Sequence, residues 1–151
     1  MTDLDRLLAI EAIKQLKAKY FRCVDTKDWV GFRSVFADDV VFDISQDMPD
    51  GGLITGGDAV VATVSRSLTA DVTSVHHGHC PEIEILSATT ATGIWAMEDM
   101  LSWGPDGAHP GQTLHGMGHY HETYEKSGSW RIKTMKLTRL RTDFAMGNTA
   151  G

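Results

Sequence analysis

The hydrophobic period changes once along the chain, near residue 71, and that switch restricts the folds open to it. Before it, Leu4, Leu7, Leu8, Ile13, Leu16, Tyr20, Cys23 and Val24 recur every three or four residues, the stripe of one long helix over 4–24. Thr26 or Asp28 can cap a short second helix carrying Trp29, Phe32, Val35 and Phe36. DDVVFDI (38–44) reads as a strand. The turn-rich QDMPDGGLITGGD follows, and a third helix over 59–68 starts at Asp58. Beyond residue 71 the period is two, which predicts strands near 73–86, 90–103, 112–126 and 129–142, separated by turns such as GPDG and KSGS. Helices first and an antiparallel sheet afterwards define an α+β chain and argue against an alternating Rossmann fold. At 151 residues one domain is expected over 1–144, with 145–151 as a flexible tail and no internal repeat.

Charge and composition remove several function classes. Fourteen Lys+Arg against twenty Asp+Glu leave a net charge of −6, with no basic run, which argues against nucleic acid or an anionic membrane as partner. With 42% hydrophobic and 23% charged residues, the chain is neither disordered nor membrane-spanning. MTDLDRLLAI places acids where a signal peptide has cations, so a cytoplasmic location is expected. Cys23 and Cys80 form no CxxC and read as reduced core thiols.

Three sets of residues could carry chemistry. Alternation along 92–103 puts Trp95, Met97, Asp99, Leu101 and Trp103 on one face. An aspartate there must be hydrogen-bonded or hold its proton more tightly, because an apolar setting disfavours its charge. Asp25 closes the first helix at the negative end of its dipole, where an acid is unfavourable without another task. Tyr20, five residues earlier, lies about 140° around the helix, so both reach one cavity only if it wraps the helix end. All seven histidines fall between 76 and 121. His119, His121 and Glu125 have HxHxxxE spacing, but the second half of a cupin signature is missing and the long helix does not suit a jelly roll. No metal site is therefore expected. The alternative is an imidazole acting as acid or base, for which a pKa of ~6.5 is suited. Simple alternation groups His77 and His79 with Ile83 and Ile85 and leaves His76 with Glu82 and Glu84. A bulge at Gly78 or Pro81 would reverse that, so periodicity does not choose.

The segments IEAIKQLKAKYFRCVDTKDW (10–29), SVHHGHCPEIEI (74–85), TTATGIWAMEDM (89–100) and YEKSGSW resemble the bile acid 7α-dehydratases of the SnoaL-like group. The likeness runs from about 3 to 143 and is poor over 45–72 and 104–114. It implies the fold of nuclear transport factor 2, shared with hexachlorocyclohexane dehydrochlorinase and scytalone dehydratase. That fold is a cone of N-terminal helices packed against a curved, mainly antiparallel sheet around a pocket. Carried over individually, the family's catalytic set falls on Tyr20, Asp25, His76 and Asp99. Arg139 aligns with an arginine of the dehydrochlorinase, and a lysine there replaces Tyr20. A pocket tyrosine of the dehydratase falls near Ile44 and a pocket asparagine near His115, departures that imply a different bound molecule; Ile44, Trp95, His115 and Arg139 are the expected substrate-binding residues.

The implied activity is a dehydratase without cofactor that acts on a hydrophobic, steroid-like or polycyclic substrate. His76 would be its base, Asp25 the partner of His76, Tyr20 the group at the departing hydroxyl, and Asp99 a protonated donor. An isomerase or dehydrohalogenase using the same dyad, or a ligand-binding or assembly module, are the alternatives. The resembling dehydratases are trimers, so a homotrimer is expected, with Trp130 and the His and Tyr residues of the last strands covering a neighbour's sheet.

Overall fold

The computed structural model describes residues 1–107 and 109–146. α1 (Asp3–Thr26) starts in a capping box, in which the Thr2 side chain accepts from the Asp5 N–H and the Asp5 carboxylate accepts from the Thr2 N–H. It ends where Lys27 turns left-handed at φ 58°. Asp28 caps α2 (Trp29–Arg33), its Oδ1 accepting from the Gly31 N–H at 2.9 Å. The chain continues through β1 (Phe36–Asp43), β2 (Leu53–Thr55), α3 (Gly57–Ser67), β3 (Val72–Ile85), β4 (Thr90–Trp103), β5 (Gln112–Ser127) and β6 (Ser129–Met146). β2 lies inside the turn-rich segment, where only three residues give periodicity nothing to register. Ala145 and Met146 belong to β6, and the rest of the expected tail lies outside the described residues.

The six strands form one open sheet in the order β2-β1-β6-β5-β4-β3. β1 runs parallel to β6 and every other pair is antiparallel, so the sheet is mixed. α1 packs across β3 and β6, and α3 against β1. The core between the helices and the inner sheet face includes Ile13, Cys23, Phe32, Val35, Phe36, Val40, Val60 and Ile132, all closed to solvent. Tyr20, Phe32 and Phe36 stack edge to face or tilted, with ring centres 5.0–5.9 Å apart. Burying one such phenylalanine stabilises the fold by about 1.5–3 kcal/mol.

Bulges decide which residues face inward. On β3, Val72, Ser74, His76 and Gly78 point to the helices; the register then shifts between His79 and Glu82, where Cys80 has φ 40°, and Ile83 and Ile85 point inward instead. β6 shifts twice, so that Trp130 and Ile132, then Met135, Leu137 and Arg139, then Thr142 and Phe144 turn the same way.

Several expectations change here. Leu4, Leu7 and Leu8 are exposed, because the first turns of α1 run past the sheet and burial starts at Ala9. Cys80 is an exposed thiol at the bulge rather than a core one. Trp130, Tyr120 and Tyr124 lie in the core and cannot cover a neighbour's sheet; His115, His119 and His121, not these aromatics, face outward.

Candidate active site

A cavity of about 510 Å³ opens between α1, α3, the 44–48 loop and the inner face of the sheet. Its walls are mostly apolar, with Val24, Phe42, Leu101, Trp103, Leu137 and Phe144 prominent, and its polar groups include Tyr20, His76, Asp99, Tyr120 and Arg139. A larger depression of about 700 Å³ runs outside α1 beside Trp130, and it brings none of these groups together.

Asp25 sits in the last turn of α1 and reaches β3. Its Oδ1 lies 2.6 Å from His76 Nδ1 and accepts from the Ser74 hydroxyl at 2.9 Å, while Oδ2 accepts from the His76 backbone N–H at 2.9 Å. Three contacts across 49 to 51 residues explain the acid at this helix end: its charge is satisfied by the sheet, not by the helix dipole. The His76 side chain keeps 12% exposure and lines the cavity. With Nδ1 held by the carboxylate, Nε2 is the nitrogen free to exchange a proton, and Asp25 stabilises the imidazolium that results. An imidazole so fixed can act as a general base toward a molecule in the cavity.

Asp99 stands beside His76 in the register of β3 and β4. It is not an isolated acid. Arg139 donates to both of its oxygens at 2.8 Å from β6, two strands away, and donates to Asp47 at 2.7 Å and 3.0 Å. Burial works against the guanidinium charge, but the hydrogen bonds it donates to Asp47 and Asp99 outweigh this and raise the arginine's pKa above its ordinary value. The pair crosses β5 at Gly116, where any Cβ would collide with Asp99 Oδ1 and the guanidinium. Arg139 is thus a clamp joining β6, β4 and the loop that carries Gln46, Asp47 and Met48 at the cavity wall.

Tyr20 lines the cavity from α1 and is 4% exposed. Burial, then the negative charges of Glu122, Asp99 and Asp25, push its hydroxyl far above the usual tyrosine range, so it is a neutral hydrogen-bond donor. Tyr120 is raised for the same leading reason and meets Tyr20 edge-on at 6.1 Å.

The sequence reading missed what lies beneath these rings. Lys17 is fully buried, its ammonium 4.0 Å from the centre of the Tyr20 ring and 3.7 Å from that of Tyr120, and it donates to Glu122 at 2.5 Å. Tyr124 donates to the other Glu122 oxygen at 2.5 Å and accepts from the Trp95 indole at 2.8 Å. Burial lowers the Lys17 pKa and Glu122 only partly offsets this. The signal was available: Lys17 continues the Ala9, Ile13, Tyr20, Val24 face, and Glu122 shares its parity with Tyr120 and Tyr124.

Of the expected substrate-binding residues, Ile44 and Arg139 line the cavity. Trp95 faces inward as alternation predicts, but it is sealed in the core against Tyr124 and does not line the cavity. His115 is on the opposite face of the sheet, because Gly116, Gly118 and Tyr120 take the inner positions of β5; it contacts Glu98 at 3.2 Å. Tyr20, Asp25, His76 and Asp99 do come together.

An apolar cavity under a helical layer, lined by a carboxylate-held imidazole, suits a small hydrophobic molecule. The SnoaL-like domain model matches residues 5–136, and the chain belongs to that family. It is 30% identical over 143 residues, covering 87% of this chain and 91% of the relative, to the "Probable cyclase FGR4" of Gibberella zeae. The fold superposes on hexachlorocyclohexane dehydrochlorinase LinA-type3 from Novosphingobium barchaimii with a TM-score of 0.80, at 20% identity and 97% and 96% coverage of the two chains. The "Putative Scytalone Dehydratase" from Novosphingobium aromaticivorans gives 0.78, at 23% identity and 95% and 91% coverage. Among the described residues no helix is long and apolar enough to cross a membrane.

Proposed function

We propose that the protein is a cytoplasmic, cofactor-independent dehydratase that removes water from a hydrophobic, steroid-like or polycyclic hydroxy ketone. The observation that carries this reading is the 2.6 Å contact between Asp25 and His76 Nδ1, with the imidazole lining an apolar cavity. His76 Nε2 takes the proton from a carbon activated by the carbonyl; the C–H electrons form the new double bond, and the C–O bond breaks. The Tyr20 hydroxyl donates a hydrogen bond to the departing oxygen, and the imidazolium returns its proton to that oxygen, so water leaves and His76 is reset. Asp99 does not donate a proton in this scheme. It holds Arg139, and through it the 46–48 loop, against the substrate.

Relatives described as a dehydratase, a dehydrochlorinase and a cyclase support an enzymatic reading. Proton abstraction by the same dyad would equally begin an isomerisation or a dehydrohalogenation. A departing hydroxyl needs hydrogen-bond donation that a halide does not, and the Tyr20 hydroxyl at the cavity wall can give it, which favours loss of water over loss of halide. The likeness of the sequence motifs to bile acid 7α-dehydratases selects the first substrates. Wild type and His76→Ala should be compared on 7α-hydroxy-3-oxo-4-ene steroids by the rise of extended-diene absorbance. Turnover is expected in the wild type and a fall of ~10²–10⁴-fold in the variant, the range a positioned acid-base group supplies. Ligand binding by the wild type without turnover would move the reading to a binding module. The same reading takes the working form to be a homotrimer; light scattering that returns the 16.6 kDa of a single chain would contradict it.

A further inference from the structure

The outer face of the sheet carries a second cluster of histidines and a carboxylate that the proposed reaction does not use. His77 and His79 precede the β3 bulge with outward parity, Glu98 lies between them and β5, and His115 approaches from β5. Glu98 Oε1 is 3.4 Å from His79 Nε2 and 3.7 Å from His77 Nδ1, while Oε2 is 3.2 Å from His115 Nε2. One ligand atom from each of His77, His79 and Glu98 falls within 4.8 Å of the others.

These separations fit a shared cation better than hydrogen bonds. A zinc ion with nitrogen and oxygen ligands at ~2.0–2.2 Å in a tetrahedron places neighbouring ligand atoms about 3.4 Å apart. The His79 contact has that length. The His77 contact is too long for a hydrogen bond, and with all three ligand atoms within 4.8 Å of one another the set would have to draw together around the ion. The side chains are 36–52% exposed, so a hydrated ion can enter and one coordination position stays open to water.

We propose that His77, His79 and Glu98 bind one divalent cation of the zinc class per chain, with His115 holding the second carboxylate oxygen and orienting it. Two imidazoles and a carboxylate are a donor set such borderline ions take, and a hydrogen-bonded carboxylate is the usual support for it. The site differs from the HxHxxxE spacing of the sequence, since His119 and His121 lie next to each other on this face while Glu125 pairs with Lys133 at 3.2 Å. Its role is to fasten β3 to β4. His77 and Glu98 face each other in the ladder immediately beside His76 and Asp99, on the other side of the sheet from the cavity.

The test is isothermal titration of zinc chloride into the full chain, free of any affinity tag and stripped with chelator. One ion per chain is expected, together with a rise in unfolding temperature that chelator reverses. Glu98→Gln and His77→Ala should each weaken binding by more than ~10-fold, since even loss of a group that only supports a ligand costs about 10–100-fold. His121→Ala, exposed on the same face and outside the cluster, should bind as the wild type does. The proposal is overturned if the wild type takes up no stoichiometric zinc. It is equally overturned if Glu98→Gln and His77→Ala, folded by circular dichroism, bind as the wild type does, or if His121→Ala abolishes binding.

Discussion

His76 and His77 are neighbours in sequence, as are Glu98 and Asp99, yet the two faces of the sheet treat them differently. On the inner face His76 and Asp99 are 12% and 6% exposed by side chain, and each is held by a group from a distant element, Asp25 on α1 and Arg139 on β6. On the outer face His77 and Glu98 are 48% and 36% exposed, and their partners are surface histidines. Chemistry alone does not separate the two pairs; the pleat does, by assigning alternate residues to a packed cavity or to water. Each inner residue is tied to its own partner, which fills its hydrogen-bonding needs in a region where an unpaired charge is costly. On the outer face water substitutes for a lost partner.

The strongest break in this contrast is Lys17→Met. It leaves Glu122 as an uncompensated buried charge, and thermal or urea unfolding should register a loss of about 3–5 kcal/mol. Adding Glu122→Leu should recover much of that loss, because no buried charge then lacks a partner. If the single and double variants are equally unstable, packing rather than charge governs the network. Gly116→Ala should come next, at about 1–3 kcal/mol, since the added methyl must displace the Asp99–Arg139 pair. In the same unfolding experiment the outer-face His121→Ala should stay within about 0.5 kcal/mol. Equal effects from Gly116→Ala and His121→Ala would erase the distinction between the faces.

Much of the architecture was legible because the core obeys simple periods. The four long strands, α1 and the inward face of Asp99 follow from alternation and helical spacing. Asp25 drew attention through its unfavourable place at a helix end, and the structure supplies the reason in His76. Periodicity failed wherever a bulge intervened. Which way His76 points depends on the register shift after His79, and Arg139 turns inward because β6 shifts near Lys133. Both residues were reachable from sequence only through resemblance. His115 was misplaced for the opposite reason: plain alternation along β5 from the inward Tyr120 puts it outside, and the resemblance, just past a poorly matching stretch, overrode that. Asp99 was placed on the correct face, but its partner is 40 residues away and two strands over, so nothing local could reveal the ion pair.

The central claim is that His76, held by Asp25, removes a proton from carbon. Its most direct test does not depend on the leaving group. A steroid ketone lacking any leaving group is incubated in deuterium oxide, and deuterium entry at the carbon activated by the carbonyl is followed by NMR. The wild type should exchange that proton well above the buffer rate, and His76→Ala and Asp25→Asn should lose ~10²–10⁴-fold of that enhancement. Exchange by the wild type no faster than buffer, or undiminished exchange in His76→Ala, would contradict the dyad as the base.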